Sequence, residues 1–150
     1  MGTLAGIARH ARARGPIETI DRAAVTLEGG IAGDFRGGAR GKPYRRQVSL
    51  IERRDWDAAM AELGCTRPWW ERRANLLVDD LDLPQRRGAR LRIGRDVVLE
   101  VMTETDPCDR MESVAKGLRG ALTPDWRGGV CAMVVAGGEI AVGDMIGVEA

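Results

Sequence analysis

The sequence is poor in the residues that usually build metal and acid–base centres. It contains one histidine, His10, and three widely spaced cysteines, Cys65, Cys108 and Cys131, with no C-x-x-C pair. A structural zinc site needs clustered Cys and His ligands, so none is expected. An odd cysteine count and no secretory leader argue against a disulfide framework. The N-terminal stretch MGTLAGIARHARARG lacks the apolar centre of a signal peptide, and no run approaches the 18 apolar residues of a membrane-spanning helix. A reduced, cytoplasmic protein without a membrane partner is the expectation. Aromatic residues make up only 4% of the chain, which leaves few stacking platforms for single-stranded nucleic acid. The net charge of +1 gives no overall pull toward polyanions, so nucleic acid is not an expected partner.

What is present suits a folded domain. Hydrophobic residues are 44% and charged residues 30% of the 150 positions, with no repeat, low-complexity block or linker, so one domain over residues 1–150 is expected. The basic residues are lopsided: of 23, only Lys42 and Lys116 are lysine. Codon bias accounts for most of that total. Locally, though, arginines cluster where their planar forks could grip phosphate or carboxylate.

Periodicity outlines a mostly β fold. Weak alternation from Thr3 and again through IETIDRAAVTLEGG predicts short strands, and Glu28–Arg46 is too rich in glycine for either regular structure. RQVSLIERRDWDAAMAELG has helical spacing, with Ser49 and Glu52 as an S-x-x-E capping box and Gly64 as the stop. RANLLV leads into a strand, and ARLRIGRDVVLEVMTET reads as a hairpin turning at Gly94–Asp96. Asp109–Arg119 is predicted as a second helix, and VCAMVVAGGEIAVGDMIGVE as β throughout. Short strands, tight turns and no repeated strand–helix alternation favour a closed or half-closed antiparallel barrel with about two packed helices.

Cys108 stands out because it follows Pro107 at the start of the second predicted helix. Amides and the helix dipole favour negative charge on a sulfur placed there, and Arg110 adds to this, whereas Asp106, Asp109 and Glu112 oppose it. A small buried hydrophobe is the plainer reading of any cysteine, and local physics leaves the two balanced. Cys131 alternates with Met133 and Val135 and reads as core; Cys65 reads as incidental. Arg36, Arg40, Lys42, Arg45 and Arg46 share eleven positions with Gly37, Gly38 and Gly41, and could close on an anion or be a solvated loop. Arg72, Arg73 and Asn75 form a second polar cluster. His10, near the end of the first strand, is not expected to act as a catalytic base. Asp34, Glu104 and Asp106 are proton-carrier candidates, more commonly turn or surface residues. Of Trp69 and Trp70, one is expected in the core and one half-exposed.

The order GIAGD, RQVSLIE, RANLLV, DPCDRM and WRGGVCAMVVAGGEIAVGD resembles the MOSC domain, named for the C-terminal domain of molybdenum cofactor sulfurase, from about Leu4 to Val148. The chain looks like a short, stand-alone member. The resemblance implies a barrel-like, mostly β fold. It implies that Cys108 is the functional sulfur, either a molybdenum ligand where the cofactor binds or a persulfide carrier. It also implies cofactor contacts from Arg73 and Asn75, with Arg46, Arg110, Gly33 and Asp34 as further binding candidates. A small-molecule substrate such as an N-hydroxylated compound, and a cysteine desulfurase or redox partner, follow from the same resemblance. Pyridoxal phosphate is not expected, since the two lysines lie in the glycine-rich loop and the second helix. A non-catalytic barrel binding an anion or nucleic acid is the remaining reading.

Overall fold

The computed structural model describes residues 1–38 and 46–149. The described strands are β1 (Gly2–Arg9), β2 (Glu18–Ile20), β3 (Arg22–Thr26), β4 (Gly30–Ile31), β5 (Val48–Glu52), β6 (Leu76–Asp79), β7 (Arg90–Ile93), β8 (Val97–Glu104), β9 (Val130–Ala136), β10 (Gly138–Ala141) and β11 (Met145–Val148). The helices are α1 (Phe35–Gly38), α2 (Arg53–Leu63), α3 (Asp109–Val114) and α4 (Leu118–Ala121), with 3-10 turns at Trp69–Arg72 and Pro124–Trp126.

β1 pairs antiparallel with both β6 and β11, which closes β11–β7–β8–β9–β5–β6–β1 into a seven-stranded ring. The barrel is thus closed, as the strand pattern suggested, and β2 extends the far end of β1. One pair departs from the antiparallel expectation: β5 and β6 run parallel, with α2 in the crossover between them. The separate sheet β10–β3–β4 contributes Val25, Ile31 and Ile140 to the barrel core.

Two apolar layers explain the composition of β5 and β6. Val48, Leu50, Leu76 and Val78 face the barrel interior, whereas Ile51 and Leu77 face a second cluster with Trp56, Met60, Met111, Leu118 and Leu122 from the helical side. A strand covered on both faces loses its polar–apolar alternation. Each large aliphatic side chain removed from water here contributes about 1.5–3 kcal/mol.

Three sequence expectations are corrected. Ser49 is no helix cap: it lies in the fully buried strand β5, α2 begins only at Arg53, and its N-cap Glu52 makes no capping bond. The helix predicted over Asp109–Arg119 is split. The chain leaves α3 at Ala115, Gly117 turns at φ 89°, and the Glu112 carboxylate accepts the amides of Gly117 and Arg119 ahead of and within α4. Glu28–Arg46, expected to hold neither regular structure, carries the two-residue strand β4 and the short helix α1 among its described residues. Gly64 ends α2 in the left-handed region, and the β7–β8 hairpin pairs Ile93 with Val97 across its turn, both as expected.

Candidate functional site

A cleft of about 500 Å³ opens where the ends of β1 and β8, the segment entering β5, the 69–74 turn and the start of α3 converge. Among the described residues, six of the side chains lining it are arginines (Arg14, Arg36, Arg46, Arg72, Arg73 and Arg110), against a single lining carboxylate, Asp106. Cys108 sits at this cleft as an exposed free thiol, in extended conformation at the N-cap of α3. Its carbonyl accepts the Met111 amide at 2.9 Å, and Met111, 1% exposed, anchors the turn into the helical cluster.

The backbone leading to Cys108 is pinned from below. The Thr105 amide donates to the Gly129 carbonyl at 2.8 Å, and the Thr105 carbonyl accepts Arg72 Nη2 at 2.8 Å. Arg72 Nε donates to the Gly128 carbonyl at 3.1 Å. This arginine is only 5% exposed. Burial draws its pKa down, opposed by the sulfurs of Cys131 and Cys108, with neighbouring Arg36 lowering it and Asp106 raising it further. Gly128 is required for this approach, because a Cβ there would lie 2.5 Å from the Thr105 carbonyl oxygen.

Arg73 follows with φ 65°, a left-handed conformation that costs a non-glycine residue about 1 kcal/mol. The turn sends consecutive arginines apart: Arg72 runs beneath the DPC segment, while Arg73 Nη2 donates to the Gly15 carbonyl at 3.0 Å. Arg73 is also pulled below the ordinary guanidinium range, by burial and then by the positive charges of Arg110 and Arg36, with Asp34 opposing. The positive charges that bear on Arg73 therefore oppose one another within the cleft.

His10 lies in the same wall, directly after the end of β1 as the sequence suggested. It is 8% exposed; its amide donates to Asp34 Oδ1 at 3.1 Å, and its carbonyl accepts the Phe35 amide at 2.7 Å. Burial lowers the imidazole pKa, as do Arg73, Arg36 and Arg110, against the opposing Asp34 carboxylate. Glu104, by contrast, is pushed up by burial and by its neighbour and hydrogen-bond partner Asp106.

The other sequence candidates fall into two groups. Arg46, Arg73, Arg110 and Cys108 come together in the cleft. Asn75, 4% exposed, is instead enclosed in the barrel wall: its Oδ1 accepts from the Ser49 amide at 3.0 Å and Ser49 Oγ at 3.3 Å, and its Nδ2 donates to the Ala8 carbonyl at 3.1 Å. It thereby ties β1, β5 and the start of β6 together beneath the cleft. Asp34 is likewise buried and serves the backbone of His10 and Gly37. Gly33 turns at φ 81°, where a Cβ would meet the Arg9 guanidinium at 2.8 Å. Arg40, Lys42 and Arg45, with Gly41, lie outside the described residues. Cys131 is fully buried, as expected, with its Sγ 3.0 Å from Thr105 Oγ1; Cys65 is half-buried beside Met60. Arg14, at φ 57°, is a lining residue with no signal in the sequence beyond its charge.

The MOSC domain model matches residues 29–147. The fold is similar to that of the YuaD protein from Bacillus subtilis, at 21% identity over 98% of this chain and 94% of that one, with a TM-score of 0.79. It is also similar to YiiM from Geobacillus stearothermophilus, at 13% identity over 100% of this chain and 76% of that one, TM-score 0.73. YiiM from Escherichia coli matches at 15% identity over 100% and 70% of the two chains, TM-score 0.70. No curated protein sequence matches the chain.

Proposed function

The chain belongs to the MOSC domain family, and on that premise we propose that its arginine-lined cleft binds molybdenum cofactor through the sulfur of Cys108. The observation that carries this reading is the placement of the exposed thiol in a cleft with six lining arginines, while Cys131 is buried and Cys65 is half-buried away from it. The donor set fits. A soft thiolate suits molybdenum, and arginine forks suit the phosphate of a pterin tail. Among the described residues no group of three or more His, Cys, Asp or Glu side chains could hold a metal ion alone. Cys108 would therefore be the protein's sulfur ligand, with the remaining donors carried by the cofactor itself.

When bound, the cofactor supplies two-electron redox chemistry of the kind that reduces N-hydroxylated compounds, given an external electron donor. The chain's own residues do the rest. Arg72 fixes the DPC segment from beneath, so that the thiol is presented at a constant height. Arg73, Arg46 and Arg110 line the anion-binding wall. The test is metal analysis of protein made in a cofactor-producing host. Molybdenum and phosphorus should co-purify with the wild type and be absent from Cys108→Ala. Metal-free wild-type protein from such a host would refute the proposal.

The exposure of Cys108 also supports a second reading, a sulfur carrier. Its thiolate would attack the sulfane sulfur of a donor persulfide, forming a new S–S bond as the donor thiolate leaves. Incubation with a cysteine desulfurase and cysteine should then add one sulfur atom to Cys108. An adduct shared equally with Cys65 would rule this out.

A further inference from the structure

His10 is the one histidine of the chain, and the anion-binding reading of the wall does not use it. Its surroundings are specific. Asp34, whose side chain is fully buried, places Oδ1 3.6 Å from His10 Nδ1 on the protein side. Arg36 from α1, Arg73 from the turn before β6, and Arg110 from α3 bear on the ring electrostatically and all line the cleft. The ring packs at 6.3 Å, centroid to centroid, from Phe35, and its backbone is held on both sides by the Asp34–Phe35 turn. A histidine placed this way has a carboxylate behind it that favours the imidazolium, and a field of cations that disfavours it. An anion seated among those arginines cancels the field and leaves the carboxylate's pull unopposed.

We infer that His10, backed by Asp34, is a proton-coupled contact for the anionic ligand: neutral in the unliganded cleft, and charged as imidazolium once the anion is seated. The inference rests on the anion-binding reading of the cleft and adds a consequence to it. Ligand binding takes up one proton from solvent, so affinity rises as pH falls, and release is favoured as pH rises. The same imidazolium would be a proton donor held at the ligand.

The chain's single histidine makes the test direct. In untagged full-length protein the imidazole C2 proton gives one resonance. Its pH midpoint is measured by NMR in sulfate, an anion with no titrating proton in this range, and in chloride at matched ionic strength. Amide shifts at Arg73 and Arg110 report whether sulfate is seated. The expected result is a midpoint below that of an ordinary histidine in chloride, moved upward by sulfate. Sulfate affinity should climb as pH falls, by up to about tenfold per pH unit, and His10→Gln should flatten that dependence. In Asp34→Asn the midpoint should fall further, because the stabilising carboxylate is gone. If the amides report bound sulfate while the midpoint stays fixed, the inference is overturned and the cleft reading stands. If the amides do not respond at all, the anion-binding reading falls and takes the inference with it.

Discussion

Two recesses of this molecule carry charge in opposite ways. The Cys108 cleft gathers arginines around one lining carboxylate. A groove of about 600 Å³ beside α2 mixes Glu52, Asp55, Asp82 and Asp125 with Arg54 and Arg127. In the groove four carboxylates face two arginines, and both arginines are paired. Arg54 bonds both Glu52 and Asp82, Arg127 bonds Glu62 at 2.8 Å, and nearby Arg53 bonds Asp79 at 2.6 Å. Glu52 is the strained member, pushed up to about 7 by burial and by Asp55 and Asp82, against the Leu83 amide and Arg54. The groove's arginines are tied to carboxylates of the fold, whereas Arg72 and Arg73 of the cleft are held by backbone carbonyls.

That contrast can be broken by substitution. The largest effect should come from Arg72, which is bonded into the cleft floor. Arg72→Leu leaves the buried carbonyls of Gly128 and Thr105 without partners and should cost about 3 kcal/mol in a denaturant titration. Asn75→Ala, which unties Ser49 from Ala8, should cost about 2 kcal/mol by the same measurement. In the groove the sign reverses. Folded Glu52 holds its proton up to about pH 7, whereas the unfolded side chain releases it near 4.5. The stability this proton provides is fully present below the unfolded value and is lost as pH rises through the folded one. Glu52→Gln should therefore be about 2 kcal/mol more stable than wild type at pH 8, and no more stable at pH 4. The smallest stability effect belongs to Arg110, exposed at the cleft rim: Arg110→Ala should change stability by less than about 0.5 kcal/mol yet weaken sulfate binding severalfold. An equal loss of stability from Arg110 and Arg72 would erase the distinction between floor and wall.

Legibility in the sequence followed the range of the interactions. The β7–β8 hairpin, the Gly64 stop and the buried Cys131 were readable because turn residues and alternation are local signals. Ser49 misled because S-x-x-E is also local. Its true partner, Asn75, lies 26 residues on, and a strand buried on both faces has no alternation to separate it from a helix. The helix break at Gly117 was hidden by an apolar pattern that continues across it. Cys108, Arg73, Arg46 and Arg110 were found through motif order. His10 and Arg14 were not, because they enter the cleft only when the end of β1 folds back against Asp34 and Gly15 is drawn to Arg73.

The ring closes on the seam between β1 and β11. β1 meets β11 through the pairs Gly2 with Ile146 and Thr3 with Met145, and Leu4 extends the seam by donating to the Asp144 carbonyl and accepting the Gly143 amide. These pairs join segments from opposite ends of the sequence, so their loop-closure entropy is met only after the intervening strands have assembled. The seam should form late in folding and open early in native-state amide exchange. Breathing of the barrel would start there, and β1, whose far end leads into His10, would transmit it to the cleft.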